Sequence, residues 1–391
     1  MTSKGDMVYA SATDLQTRKS GESGGAVTAL LRFALESGMV DAVLAVEKGY
    51  DVYDARPVLI TDPAEVGQTS SSLHCGTLLL SKLFRNYLDG AKDIRIAASL
   101  KGCDVMGMYE LAKRGYVDLD NVLMIGLNCG GSITPAMARR IVEEKMDLDP
   151  DAVEKEEISK GKFIVRSKTF EGSVSIDELE DEGYGRRGNC RRCKMKVPRN
   201  ADLACGQWGV MGEKAATFVE VCSVKGSQLL EKALDAGVIE VSEPDPKGIE
   251  IRSRIESSML RLADFWREKD LKPLEVSKLR LEKMMDESSR CIKCYTCVDA
   301  CPVLSGDKAP YLTVTPGEVP PRFEFHLVRY FHVGDSCINC GQCEELCPMD
   351  IPNSLFMHAI AVDLEKIYGY HAGEDMSMPA VAIMKENGNN K

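Results

Sequence analysis

From the N-terminus to about residue 141, apolar positions alternate between a helical and an extended period. Val27, Leu30, Leu31, Ala34 and Leu35 recur at helical spacing after Ser23-Gly24-Gly25, and Gly38 stands where a C-cap belongs. Residues 40–46 form a short apolar run of strand type, 56–60 form another, and Asp62-Pro63 opens a further helix. Residues 78–88 read as helix, 94–98 as strand, 105–114 as helix, 122–127 as strand and 135–144 as helix. This alternation predicts an α/β domain with a largely parallel sheet.

The pattern then loosens. Residues 148–187 are charged and poorly periodic, with a hairpin expected around 163–174 and acidic stretches at 151–157 and 177–182 that read as solvated faces. Strands are expected at 218–224 and 237–241 around a helix at 229–236. Residues 255–289 read as a charged helical connector packing through Leu260, Phe265 and Trp266. Helices at 322–331 and 355–368 follow, and the tail after about residue 373 is expected to fray.

Composition narrows the class. A chain of 391 residues that is 44% hydrophobic and 28% charged has room for two or three ordinary domains. No run approaches the roughly 18 apolar residues of a membrane span, and the polar start does not resemble a signal peptide, so a cytoplasmic protein is expected. The net charge of −11 argues against a nucleic-acid partner. Fifteen cysteines in such a chain point to metal ligation, not disulfides.

Eight of them form two copies of one pattern. Cys291, Cys294, Cys297 and Cys301 precede Pro302, and Cys337, Cys340, Cys343 and Cys347 precede Pro348, each with the spacing C-x2-C-x2-C-x3-C-P of a bacterial two-cluster ferredoxin. In that pattern the fourth cysteine of each run serves the other cluster. The expected sets are Cys291, Cys294, Cys297 with Cys347, and Cys337, Cys340, Cys343 with Cys301. Zinc favours separated C-x2-4-C pairs and fits four cysteines in a row poorly. The helical segments around the runs predict the helical variety of such a module.

Cys190, Cys193 and Cys205 share a short, glycine-containing segment that reads as a third 4Fe-4S site, with zinc or free thiols as the alternatives, and a cluster there has two candidate further ligands. Cys129 and Cys103 both follow predicted strands, where open α/β sheets place their sites. Cys75 and Cys222 read as inert buried thiols. Arg186, Arg187, Arg191, Arg192, Lys194, Lys196 and Arg199 crowd the same stretch, as an exposed basic loop or as compensation for an anionic ligand or cluster. Ser23-Gly24-Gly25 and Ser70-Ser71-Ser72-Leu73-His74-Cys75-Gly76-Thr77 each precede a helix and could offer backbone N–H groups to phosphate. No complete G-x-G-x-x-G follows a strand, and no catalytic acid–base or nucleophile constellation stands out.

Taken in order, Ser23-Gly-Gly-Ala-Val-Thr-Ala-Leu-Leu, Lys101-Gly-Cys103, Gly126-Leu-Asn-Cys129, Cys190-x2-Cys193 and Ala201-Asp-Leu-Ala-Cys-Gly-x-Trp-Gly209 resemble the beta-subunit family of coenzyme F420 hydrogenases and dehydrogenases. The stretch from Cys337 to Pro352 is most similar to its formate dehydrogenase branch. The resemblance implies an FAD-containing oxidoreductase subunit exchanging hydride with coenzyme F420, with three 4Fe-4S clusters and no catalytic side chain beyond the cofactors. It implies an alpha subunit carrying a molybdenum or tungsten pterin as partner, and extends the partners to a heterodisulfide reductase complex. By position, Cys129, Cys190 and Cys193 become ligands of the flavin-domain cluster, with Cys205 favoured over Cys103 as the fourth; Gly102 stands where many relatives carry proline. FAD is expected against Ser23, Gly24, Gly25, Thr28, Ser70, Ser71, Ser72, His74, Gly76 and Thr77, and Lys101 and Lys194 are candidates for F420. The chain then divides into 1–145 and 146–254 as the two parts of a flavin domain, a 255–289 connector, and 290–391 as the ferredoxin domain. The alternatives are the F420-oxidising subunit of another electron-transfer complex and an iron–sulfur adaptor without flavin.

Overall fold

The computed structural model describes residues 3–212, 215–304 and 317–381. Its strands are β1 (Met7–Ala12), β2 (Ala42–Lys48), β3 (Ala55–Ile60), β4 (Ile96–Lys101), β5 (Val122–Leu127), β6 (Lys155–Ser159), β7 (Lys162–Arg166), β8 (Glu171–Ser175), β9 (Leu203–Gly206), β10 (Thr217–Val221) and β11 (Ile239–Ser242). Eight build one sheet in the order β11-β1-β10-β9-β5-β4-β2-β3, and β6-β7-β8 form a separate antiparallel meander.

The large sheet is mixed, not largely parallel. β2, β4, β5 and β9 run parallel, whereas β3 at one end and β10, β1 and β11 at the other pair antiparallel. The parallel centre is the part that reads as unbroken apolar sequence, because both of its faces are covered. On one face the helices Ala26–Glu36 and Val224–Asp235 bury Leu30, Ala34, Leu229 and Leu230 against Val43, Ala97 and Ile125. On the other, the helices Ser81–Tyr87 and Gly102–Lys113 bury Phe84, Val105, Met108 and Leu111 against Leu44, Ala98 and Met124.

Helix starts follow the sequence closely. Thr134 accepts from the Met137 N–H ahead of the helix Pro135–Met146, with proline at its first position. Ser223 caps the helix Val224–Asp235 in the same way. The expected helix after Asp62 is a 3-10 helix, Pro63–Thr69.

The connector is not a free linker. The helix Pro246–Leu271 begins nine residues before the expected boundary of 255, and Leu271, Leu274 and Met284 sit in the core of the last domain with Phe325, Tyr330, Phe356 and Ile360. That domain is built on the helices Phe323–His332 and Asn353–Tyr368, and among the described residues no strand follows β11. The tail does not fray at residue 373: Ala380 and Val381 are buried with Ile338 and Tyr370. Residues 382–391 lie outside the described residues.

Candidate metal centres and nucleotide loops

All fifteen cysteines are free thiols. Those of the twin runs surround two neighbouring cavities. Cys291, Cys294, Cys297 and Cys347 line a cavity of ≈ 350 Å³, and Cys301, Cys337, Cys340 and Cys343 line one of ≈ 510 Å³. Cys297 also reaches the rim of the second. The two runs wrap their cavities with the same backbone device. Lys293 and Tyr295 in the first, and Asn339 and Gly341 in the second, take left-handed conformations with φ between 51° and 77°. Three of these four are not glycine, so the turns hold backbone strain at the places where the chain curls around its thiols. N–H donors face the sulfurs, from Lys293 to Cys291 Sγ at 3.3 Å and from Leu304 to Cys301 Sγ at 3.4 Å.

Among the described residues no three potential ligands converge closely enough to hold a single metal ion. Tetrahedral zinc needs thiolates about 2.3 Å from one point, whereas these stand around an open space, as donors to a bulky multinuclear group do. The residues present fit 4Fe-4S clusters.

Two further side chains, missed in the sequence, line the cavities. Arg329 borders both, donating to Cys297 Sγ and to Asn353 Oδ1. His326, 1% exposed, lines the first with neither ring nitrogen hydrogen-bonded. Burial, and then the charge of Arg329, push its pKa down to about 3 and keep the ring neutral. No local spacing marks either residue, since both act by being turned inward on the helix Phe323–His332.

A third group of thiols gathers at the C-terminal edge of the parallel strands. Cys103 follows β4 and Cys129 follows β5, and both interact electrostatically with the short segment carrying Cys190 and Cys193. The close approach depends on Gly102, where a Cβ atom would lie 2.5 Å from the Met195 carbonyl oxygen. The Cys129 N–H donates to the Lys196 carbonyl at 3.0 Å, and Lys196 Nζ donates to that of Cys190 at 3.2 Å. Burial works against the Cys190 thiolate, yet the Arg187 guanidinium and Ser132 hold its pKa below the usual thiol value.

Cys205, favoured from the sequence, is not in this group. It lies on β9 within the core under the helix Ala26–Glu36, its electrostatic neighbours are Arg252 and Cys222, and burial pushes its pKa up to about 12. The reason is strand alternation: β9 pairs with β5 through Leu127, and Cys205 points into the core face. Cys103, the other candidate, stands near Cys129 and Cys193.

The basic stretch is not an exposed loop. Arg186 pairs with Glu180 at 2.6 Å, Arg192 with Asp270 at 2.7 Å and Arg199 with Glu220 at 2.7 Å. Arg187 pairs with Glu345, and Arg191 lies over the Trp266 ring. Lys194 pairs with Asp264 on the connector helix. Lys101 donates to the Leu78 carbonyl at 2.7 Å and faces Cys103 and Cys129. Neither lysine is set out as a free cation for a coenzyme.

The two expected nucleotide loops meet. Ser20 and Ser70 hydroxyls are 3.2 Å apart, and Ser71 donates to Glu22 at 3.2 Å. Ser23 and Gly24 are tied by their carbonyls to Thr217 and to the Ala12 N–H. Gly25, left-handed at φ 69°, starts the helix Ala26–Glu36 with no side-chain cap, and Thr28 is buried in its first turn. Those uncapped N–H groups beside several hydroxyls fit the phosphates of a nucleotide-flavin. In the second loop Ser72 is exposed and Gly76 buried, while His74 and Cys75 are clamped by Glu156. Glu156, part of a stretch read as solvated, is only 2% exposed because the meander carries it inward. Thr77 donates to Glu345 and accepts from Gln342 at 2.6 Å, joining this loop to the second cysteine run.

Residues 7–85 match the N-terminal region, and residues 93–247 the C terminus, of the coenzyme F420 hydrogenase/dehydrogenase beta subunit; residues 287–351 match the 4Fe-4S dicluster domain. The chain is 45% identical over 378 residues to the F420-dependent formate dehydrogenase subunit beta of Methanocaldococcus jannaschii, covering 95% of this chain and 97% of that protein. The chain belongs to the coenzyme F420 hydrogenase/dehydrogenase beta subunit family. It is also 44% identical to the F420-dependent formate dehydrogenase 1 subunit beta of Methanococcus maripaludis, over 96% of this chain and 97% of that protein. A more distant family member, the coenzyme F420 hydrogenase subunit beta of Methanothermobacter thermautotrophicus, is 26% identical and covers 60% of this chain and 83% of its own. In fold, the chain is similar to one chain of the F420-reducing [NiFe] hydrogenase complex of Methanosarcina barkeri, with TM-score 0.59 and 21% identity over 69% of this chain and 93% of that one. Among the described residues no helix is long and apolar enough to cross a membrane.

Proposed function

We propose that this chain is the subunit of a formate dehydrogenase through which formate-derived electrons reach coenzyme F420 as hydride, reversibly. What supports this reading is the extent of the likeness. The formate dehydrogenase relatives match along 95% and 96% of the chain, dicluster region included, whereas the hydrogenase relative matches 60%. The function therefore includes a part that a hydrogenase-type beta subunit does not share in this alignment.

In this reading FAD lies against the loops 20–28 and 70–77, and Cys103, Cys129, Cys190 and Cys193 hold a third cluster beside the two of the dicluster domain. When bound, a flavin exchanges hydride or single electrons and an iron–sulfur cluster exchanges single electrons, so the pair can convert one into the other. The protein's own part is positional. The uncapped helix start after Gly25 binds phosphate, and Glu156 fixes the loop through His74. The natural partner is an alpha subunit bearing the molybdenum or tungsten pterin at which formate is oxidised.

The test is an anaerobic inventory of the purified chain. Flavin near one per chain, with iron and acid-labile sulfide for three four-iron clusters, is expected, together with a flavin absorption band bleached by reduced F420. Full iron with no flavin would reduce the chain to an electron-transfer adaptor.

A further inference from the structure

The helix Phe323–His332 lines the first dicluster cavity through Phe325 and His326, and its Arg329 borders both cavities. Arg329 is 2% exposed. One guanidinium nitrogen donates to Cys297 Sγ, another donates to Asn353 Oδ1, and Nε has no partner. Among the described residues no aspartate or glutamate pairs with it, although the chain carries 60 acidic residues. A guanidinium cannot shed its proton, and a buried charge without a counter-charge is strongly unfavourable. The missing negative charge has one source nearby, the two thiol-lined cavities that it borders. Four thiolates around a four-iron cube leave a net anion, and each reduction adds another negative charge.

The junction between the dicluster domain and the front domain differs. There Arg187 Nη2 donates to the Cys340 carbonyl at 3.1 Å, but the same group pairs with Glu345, so its charge is already answered by a carboxylate.

We propose that Arg329 is a counter-ion shared by both dicluster centres, raising their two reduction potentials together and easing the simultaneous reduction of both. A positive charge in a poorly polarisable interior favours the more negative form of each neighbour. Because it borders the two, its removal acts on both. The inference rests on the assignment of the twin cysteine sets as cluster ligands.

The experiment uses the complete complex, held anaerobically, with redox titration of each centre followed by electron paramagnetic resonance and with iron and sulfide measured in every sample. In Arg329→Met both dicluster potentials are expected to move negative while the front-domain centre keeps its own. Arg329→Lys restores part of the shift. Asn353→Asp, which sets a carboxylate against the same guanidinium, is expected to move both potentials in the same direction with the arginine retained. Unchanged potentials in Arg329→Met and Asn353→Asp would overturn the proposal, as would a shift of one dicluster centre alone or an equal shift of all three. Should Arg329→Met lose iron, Asn353→Asp with full iron decides. Wild-type protein lacking the iron of two dicluster centres would instead sink the ligand assignment, an outcome distinct from unshifted potentials.

Discussion

The dicluster cavities and the thiol group at the sheet edge present similar donors and hold them in opposite ways. In the dicluster domain each set draws three cysteines from one tight turn and a fourth from the other run, so three quarters of each set is written in a few consecutive residues. At the sheet edge, Cys103, Cys129, and the pair Cys190 and Cys193 arrive from three separate segments, placed by the ends of β4 and β5 and by a short helix. The first arrangement is the more robust because three of its four donors are local. The second depends on the packing of the whole front domain.

The largest effect that separates the two is expected at the disputed fourth donor. Cys103→Ser should remove the front-domain iron signal and lower F420 reduction by orders of magnitude, with the dicluster signals intact. Cys205→Ser should leave iron content unchanged and cost only stability, of about 1–3 kcal/mol for a buried hydroxyl. Iron lost with Cys205 and kept with Cys103 would reverse the assignment.

Next comes the dependence on long-range packing. Leu30 is fully buried between the helix Ala26–Glu36 and the sheet, and Leu30→Ala should destabilise the front domain by about 2–5 kcal/mol. Followed by denaturant titration, the flavin and the front iron signal should then disappear at lower denaturant than the dicluster signals. Simultaneous loss of all three would make the two regions one cooperative unit.

A smaller effect is expected at their seam. Asn189 donates to the Cys340 carbonyl at 2.8 Å and accepts through its own carbonyl from Asn339 at 3.0 Å. Asn189→Ala leaves the Cys340 carbonyl with Arg187 as its remaining donor and should cost about 0.5–1.5 kcal/mol, read as faster amide exchange in residues 337–343.

The smallest is a pH effect on the nucleotide loop. Burial alone would lower the pKa of His74, but the hydrogen bond and charge of Glu156 raise it overall. A raised folded-state pKa means the imidazolium contributes fully below the unfolded value of about 6.5 and loses that contribution as pH rises through the folded one. Thermal stability of the wild type should therefore fall over that window, and His74→Gln should flatten the dependence.

The same contrast explains what could be read in advance. β5 coincides with its expected range because it is an unbroken apolar run, and the helix Pro135–Met146 starts where Thr134-Pro135 says it must. Both cysteine sets of the dicluster cavities follow from spacing alone. Hidden from the sequence was whatever depended on distant partners. β1 and β9 are short strands whose antiparallel pairing with β10, like that of β3 with β2, makes the sheet mixed. Glu156 reads as solvated in sequence, but the meander carries it to His74; the basic stretch reads equally as an exposed loop or as charge for an anionic ligand or cluster, and the carboxylates that pair with it, Glu180, Glu345, Asp264 and Asp270, come largely from distant segments.

The stretch after the last helix returns to the front domain. Tyr370 donates to Glu110 at 2.7 Å, the Gly373 N–H donates to the same carboxylate at 2.7 Å, and Asn200 donates to the Gly373 carbonyl at 2.8 Å. The dicluster domain is thus bolted at both ends, by the connector helix at its entry and by this strap at its exit, and cannot swing on a single hinge. Electron tunnelling weakens steeply with every added ångström, so such a double fastening fixes the hopping distances mechanically, with no need for a docking event in each catalytic cycle.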